Sequence, residues 1–291
     1  MSSEVSQRAG SVSDGALPRT GELQTAPQRH PALQAGGTRA RRADETSATH
    51  GTLATRGRLC SYANPELEGR FRFGEGVPGP KFPYGFMRTV LQVVLSAYCR
   101  ARVFNRHYEP ASGGAVYVCN HQSFLDPMLM SYALRRPMNY MARDSLFRVP
   151  GFAQLITEFY AFPVKRGAAD TGAMKEAMRR IKAGGQVVLF AEGTRTLDGR
   201  IGPFLPGVAL LAQRVAKWTV PCVIDGAFES WPRTQKFPSM GNIAVQYAPA
   251  IPQEEAARHT PDEFIKNLRK ICIDMQSEVR QRMGRPALKY D

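Results

Sequence analysis

Residues 115–128 read Ala-Val-Tyr-Val-Cys-Asn-His-Gln-Ser-Phe-Leu-Asp-Pro-Met. The first five, Ala115–Cys119, are uninterruptedly apolar or aromatic, the composition of a strand buried on both faces, and the Asp126-Pro127 pair opens a helix as N-cap and first helical residue. A short buried strand that passes through a polar turn into a helix is the repeating unit of an α/β sheet. In such sheets functional groups gather in the turns beyond the strand ends. Five residues along a regular helix turn through about 140°, so His121 and Asp126 do not share a helical face and His121 belongs to the turn. From the helix start the Asp126 carboxylate can reach back to the imidazole, fix its tautomer and leave the other ring nitrogen as a base. A capping aspartate beside an unrelated loop histidine fits the same residues.

Outward from this stretch the alternation continues. Strands are expected at 139–142, 161–164, 186–190, 219–224 and 242–247, and helices at 127–135, 146–159, 171–183 and 208–216. A last helix opens on Thr260, Pro261 and Glu263 as N-cap, N1 and N3, carries the apolar stripe Phe264, Leu268, Ile271, Met275 and Val279, and stops at Gly284. The expected fold is α/β, a mixed central sheet flanked by helices. Upstream, over 84–104, Arg88, Gln92, Ser96 and Arg100 recur every four residues while Val90, Leu91, Val93, Val94, Leu95, Ala97 and Tyr98 cover the other faces. This predicts an amphipathic helix, and both a helix packed on its own core and one lying in a membrane interface fit the pattern.

The aromatic residues mark where the core must be. None of the 59 residues before Cys60 is Phe, Tyr or Trp, so residues 1–80 are expected to be a disordered tail and 81–291 the folded domain. Of the formal net charge of +14, the segment 81–291 carries +12, which calls for an acidic partner: nucleic acid, an anionic lipid surface or a phosphorylated substrate. No nucleic-acid recognition motif is present. Glu4, Asp14, Glu22, Asp44 and Glu45 argue against a transit peptide, and the opening MSSEVSQRAG lacks the apolar core of a signal peptide. The charge-free run Thr89–Cys99 has 11 residues, too short to span a bilayer. Cys60, Cys99, Cys119, Cys222 and Cys272 are odd in number and scattered, so neither a disulfide framework nor a cysteine zinc site is expected. His30, His50, His107, His121 and His259 are isolated, so no metal site is expected either.

Two further strand ends carry polar turns. Phe190-Ala191-Glu192-Gly193-Thr194-Arg195 places a glycine turn, a hydroxyl and a guanidinium at one of them, and Phe162-Pro163-Val164-Lys165-Arg166-Gly167 places adjacent cations at another. Singly, each is more often a solvated turn with a surface charge; together with residues 120–127 they supply a base and two anion grips. These blocks resemble the 1-acylglycerol-3-phosphate acyltransferase family of glycerolipid synthesis, over roughly Tyr84 to Arg233. The family's N-H-x-S-x-x-D is matched by Asn120, His121, Ser123 and Asp126, and its cationic turn by Lys165 and Arg166. Its F-P-E-G-T-R is matched by Phe190, Glu192, Gly193, Thr194 and Arg195, and its apolar V-P strand by Val220 and Pro221. Ala191 replaces the usual proline, Phe204-Leu205-Pro206-Gly207 stands where the family has F-K-x-G, and the second proline of the fourth block is missing.

The resemblance implies an enzyme that moves a fatty acyl group from acyl-CoA or acyl carrier protein to the free hydroxyl of 1-acyl-glycerol-3-phosphate, giving phosphatidic acid. Another lysolipid or glycerol 3-phosphate as acceptor would leave the motifs unchanged, and a non-catalytic basic membrane-binding protein is the alternative from a different class. His121 would be the general base and Asp126 its orienting carboxylate. Lys165, Arg166, Glu192, Gly193, Thr194 and Arg195 would hold the acceptor, with Asn120 and Ser123 supporting, and no cofactor beyond the acyl donor is implied. A lipid acceptor lives in a bilayer, which favours the interfacial reading of 84–104. That places the protein on the cytoplasmic face of a membrane, peripheral or monotopic, with no transmembrane span.

Overall fold

The computed structural model describes residues 82–165 and 170–290, with side chains from Gly85 onward. The expected tail 1–80 lies outside the described residues, as does Arg166. In chain order the elements are α1 (Phe82–Cys99), β1 (Arg102–Phe104), β2 (Ala115–Cys119), α2 (Asp126–Ala133), β3 (Met138–Arg143), α3 (Phe152–Glu158), β4 (Ala161–Val164) and α4 (Thr171–Lys182). They continue with β5 (Gln186–Phe190), α5 (Gly207–Arg214), β6 (Trp218–Asp225), α6 (Ala227–Ser230), β7 (Ala244–Tyr247), β8 (Ile251–Pro252), α7 (Gln253–Ala256) and α8 (Pro261–Arg282).

The strands form one sheet in the order β1-β7-β6-β2-β5-β3-β4, with β8 also paired to β6. Strands β6, β2, β5, β3 and β4 are mutually parallel; β7 and β8 run antiparallel to β6, and β1 is parallel to β7. The sheet is therefore mixed, with β2 central and all five of its residues buried. Alternate residues of β2 feed the two cores. Val116 and Val118 pack with Ala177 and Ile181 of α4, Leu211 of α5, and Phe264 and Leu268 of α8. Ala115, Tyr117 and Cys119 pack with Leu129 and Met130 of α2 and Leu95 of α1. This is the three-layer arrangement that covers both faces of a parallel sheet.

The last helix forms where its capping pattern places it. The Thr260 N–H donates to Glu263 Oε2 at 3.1 Å, and Gly284, at φ 70°, ends the helix with Arg285 N–H donating to Arg280 O at 2.7 Å and Gly284 N–H to Gln281 O at 3.0 Å. Of its stripe, Phe264, Leu268, Met275 and Val279 are buried and Ile271 partly so.

Two expected helices differ. The span 146–159 is not one helix: Asp144–Arg148 is a 3-10 turn and α3 starts only at Phe152. Pro150 disfavours helical geometry at Val149, and Gly151 takes φ 77°, so the chain breaks between the two pieces. The span 84–104 also divides, since α1 ends at Cys99 and Arg102–Phe104 leaves it as an edge strand paired to Ala244–Gln246. Arg100, at φ 42°, makes the turn between them.

The orientation of α1 is the more informative finding. Two residues of its polar stripe turn toward the protein beside the buried Leu95 and Cys99: Arg88 Nη1 donates to Leu134 O at 2.7 Å and Gln92 Nε2 donates to Tyr132 O at 2.6 Å, while the exposed Ser96 Oγ pairs with the Tyr132 hydroxyl at 2.7 Å. These carbonyls belong to the end of α2, where no helical N–H is left to meet them, so the stripe acts as a cap for the neighbouring helix. The opposite, apolar face is left in the open, with Phe86 63%, Val93 64% and Val94 51% exposed.

Candidate active site

The turn after β2 is held from several sides before any catalytic argument is made. Asn120 extends the β2–β6 pairing with its side chain: Nδ2 donates to Ile224 O at 2.9 Å and Oδ1 accepts from Ile224 N at 2.8 Å. Ser123 Oγ donates to Trp231 O at 2.8 Å. Gln122 Nε2 donates to Gly199 O at 3.0 Å and its Oε1 accepts from Phe228 N at 3.2 Å. Three side chains of this turn thus anchor it to β6 and to the segments beyond β5 and β6.

Within this frame, His121 Nδ1 lies 2.6 Å from Asp126 Oδ2. The same oxygen accepts the backbone N–H of Gln122 at 2.6 Å and of Ser123 at 2.8 Å. An oxygen collecting two amide hydrogens acts as acceptor, so Nδ1 carries the ring hydrogen and Nε2 is the free base. The imidazole stacks on Phe190 with centroids 4.1 Å apart and planes 16° from parallel, which fixes its rotation. Asp126 is fully buried. It is not, however, the N-cap expected from the sequence: α2 starts at Asp126 itself, Leu125 precedes it in helical geometry, and no side chain caps the helix. The carboxylate turns away from α2 and binds the amides of the preceding turn, where three donors compete successfully for it.

Strand β5 is the direct neighbour of β2, with Cys119 opposite Phe190, so Glu192-Gly193-Thr194-Arg195 emerges beside His121. Glu192 bridges two segments: Oε1 accepts His121 N–H at 3.0 Å and Oε2 accepts Gly202 N–H at 3.0 Å. Burial pushes its carboxyl up to about 7, aided by the Asp126 charge and opposed by the two amides and Arg269. Gly193 sits at φ 67°, a backbone conformation that favours glycine; a Cβ there would also push aside the end of the exposed Leu205 side chain. Thr194 is exposed. The Arg195 guanidinium lies 3.6 Å from the Phe124 ring centre, a cation–π contact that holds it over the turn carrying His121.

The structure brings together Asn120, His121, Ser123, Asp126, Glu192, Gly193, Thr194 and Arg195. It does not bring Lys165 to them. Lys165 follows β4, the edge strand two places beyond β5, or about 10 Å away at usual strand spacing; its side chain is exposed and its N–H donates to Asp170 Oδ2 at 2.7 Å. Sequence reasoning missed Gln122, Gly202 and Arg269. Gln122 occupies a variable motif position, and the other two lie far along the chain with no local pattern to mark them. Among the described residues no group of His, Cys, Asp and Glu is arranged to hold a metal ion.

The position of Glu192 gives a test of the frame. A carboxyl that titrates higher in the folded than in the unfolded protein binds more protons when folded, so its contribution to stability is lost as pH rises from the ordinary carboxylate range to about 7. Glu192→Gln should therefore flatten the fall in urea midpoint between pH 5 and 7. Parallel pH profiles for the two proteins would show that Glu192 is not the titrating group.

Comparison with known proteins finds relatives over the same part of the chain. Residues 100–225 match the family model described as Acyltransferase. A protein of Bacillus subtilis named 1-acyl-sn-glycerol-3-phosphate acyltransferase is 29% identical over 144 residues, 49% of this chain and 71% of that protein. The Arabidopsis thaliana chloroplast enzyme of the same name is 31% identical over 134 residues, 45% of this chain and only 37% of that one. A crystal structure of the 1-acyl-sn-glycerophosphate acyltransferase PlsC from Thermotoga maritima superposes with a TM-score of 0.49 at 19% identity, covering 64% of this chain and 81% of that one. The stretch matched by the acyltransferase family model, residues 100–225, carries the strand-end histidine, its aspartate and the Glu192–Arg195 turn.

Proposed function

We propose that the protein transfers a fatty acyl group from an acyl thioester to the free hydroxyl of 1-acyl-glycerol-3-phosphate. The observation that carries this reading is the 2.6 Å contact of His121 Nδ1 with a buried carboxylate oxygen already holding two amides, which leaves Nε2 as an oriented base. A hydroxyl is a weak nucleophile near neutral pH. As its oxygen bonds to the thioester carbonyl carbon, its proton passes to Nε2; the tetrahedral adduct then breaks its carbon–sulfur bond, and the imidazolium returns the proton to the departing thiolate. Asp126 keeps the imidazole in the required tautomer and stabilises its charged form. Arg195, held over Phe124 of this turn, supplies a cation for the acceptor's phosphate.

The test is transfer of a labelled acyl group by the purified protein to a panel of lysolipids differing in head group, with glycerol 3-phosphate included. Phosphatidic acid as the main product is expected. Preference for a head group lacking a free phosphate would move the acceptor assignment to another lysolipid, a reading favoured by one observation, the exposed Leu205 beside Gly193 where relatives carry a lysine.

The acceptor is a bilayer lipid, and the surface fits such a partner. Among the described residues no helix is long and apolar enough to cross a membrane. Yet the outward face of α1 is apolar, and further exposed apolar side chains follow the carboxyl ends of the parallel strands: Phe124 after β2, Leu146 and Val149 after β3, Leu197 and Leu205 after β5, Phe237 and Met240 after β6. That edge of the sheet also bears His121 and Arg195. Peripheral attachment through α1 and this rim would present the site to the lipid head groups. Leu95 is buried whereas Val93 and Val94 are exposed, so Val93→Asp with Val94→Asp should release the protein from phosphatidylglycerol vesicles and leave its thermal midpoint nearly unchanged. Undiminished sedimentation with vesicles would remove α1 as the anchor.

A further inference from the structure

A cavity of about 480 Å³ opens beside the Glu192–Arg195 turn, a size within the usual range for small-molecule sites. Thr194, Arg195, Arg200, Arg269 and Tyr290 are among the residues that line it, together with Glu192 and Asp198. Arg269 belongs to α8 and Tyr290 to the segment after it, both outside the residues matched by the family model.

The cavity is cationic and its wall is pre-arranged. Arg269 Nε donates to Gly202 O at 2.8 Å and Nη2 to Ile201 O at 2.9 Å. Neutral carbonyls orient a guanidinium without cancelling its charge. The Tyr290 hydroxyl accepts Ile201 N–H at 2.9 Å and pairs with Gln276, fixing the chain end against the same loop. Arg195 serves the acceptor in the proposed reaction, which leaves Arg200 and Arg269 as the further guanidinium groups of this wall; against them stand Asp198, 3.6 Å from Arg200, and Glu192, which burial and Asp126 keep from full ionisation near neutral pH. Phosphate esters are the anions for which such a set of arginines is best suited.

Two substrates of the proposed reaction bear phosphate, and bond counting separates them. In a lysophosphatidate the reacting hydroxyl and the phosphate sit on neighbouring carbons of one glycerol, so an acceptor poised at His121 keeps its phosphate close to the imidazole. In acyl-CoA the whole pantetheine arm separates the thioester from the nucleotide. The cavity wall includes neither His121 nor Asp126; Glu192 stands between, accepting the His121 amide with one oxygen and the Gly202 amide with the other. We infer, on the basis of the acyl-transfer reading, that this cavity binds the phosphates of the 3′-phospho-ADP end of an acyl-CoA donor, with Arg269 and Arg200 as donor-specificity residues.

The test uses Arg269→Gln and Arg200→Gln in the full-length protein. Each should raise KM for acyl-CoA about tenfold, the loss of one charge-assisted contact, while shifting the lysolipid KM by less than about twofold. Adenosine 3′,5′-bisphosphate, followed by titration calorimetry, should bind the wild type and bind both variants more weakly. Arg200 is exposed, so its variant reads the cavity even if Arg269→Gln disturbs the loop it supports. A KM shift confined to the lysolipid would assign the cavity to the acceptor's phosphate instead. Bisphosphate binding unaffected by both variants, or turnover with acyl carrier protein but not with acyl-CoA, would equally overturn the inference. Bisphosphate binding that is weakened in the variants of a protein inactive on every lysolipid would sustain the cavity as a nucleotide site and refute the proposed acyl transfer.

Discussion

His121→Ala should lower kcat/KM for acyl transfer by about 10²–10⁴, the usual worth of a positioned general base, in a protein that remains folded. The imidazole is buried but sits in a turn; its ring stacks on Phe190, and loss of such a contact costs about 1 kcal/mol. The turn itself is held by Asn120, Gln122 and Ser123, none of which depends on the ring. Steady-state kinetics together with urea denaturation check both halves. Near-wild-type turnover by a folded variant would refute the role of Nε2. If activity and fold are lost together, the comparison passes to His121→Gln, which keeps a polar side chain in the turn but has no titratable base.

Asp126→Asn should show the reverse balance, a smaller loss of activity and a larger loss of stability. One carboxylate oxygen serves the imidazole and the Gln122 and Ser123 amides at once, within 2.6–2.8 Å, and the residue is fully buried. An amide oxygen can still accept from all three donors but without the charge that strengthens each bond, so a loss of about 2 kcal/mol is expected. Activity should fall less than in His121→Ala because Nε2 remains, held less firmly in its tautomer. Denaturant midpoints and kcat, measured on both variants, separate the two effects. Equal stability of Asp126→Asn and wild type would mean that the amides of the turn do not need the carboxylate.

The local half of this protein is legible from the chain. Val116, Val118 and their neighbours mark β2 because a strand covered on both faces has no room for a polar residue. Thr260, Pro261 and Glu263 start α8, and Gly284 ends it, because unpaired amides and carbonyls at helix ends select those residue types. The pairing of His121 with Asp126 is equally local: five residues apart in sequence, the two can meet only if the histidine lies in the turn. Helix 146–159 was misread from the same kind of information, because its apolar periodicity continues through Pro150 while the backbone cannot.

What the tertiary structure alone decided concerns contacts between distant segments. The stripe Arg88, Gln92, Ser96 announces an amphipathic helix in the sequence, but periodicity has no sign: it separates two faces without saying which turns inward. The inward face is a mixed one, on which Leu95 and Cys99 are buried and Arg88 and Gln92 meet the carbonyls of Leu134 and Tyr132 that lack helical partners at the end of α2, while Val93 and Val94 stay exposed. Strand order is likewise invisible along the chain. With β5 beside β2 and β4 at the edge, Glu192 reaches His121 whereas Lys165 does not, although both stand at strand ends with similar sequence signals. Arg269 and Tyr290 reach the Glu192–Arg195 turn only because α8 packs across the sheet and the following segment doubles back to Ile201. Sequence determines which segments become strands and helices and which turns carry reactive groups, since those follow from backbone geometry within a few residues. The partners of those groups depend on the sheet order and on which carbonyls and charges remain unsatisfied once the layers have packed, and only the folded chain settles these.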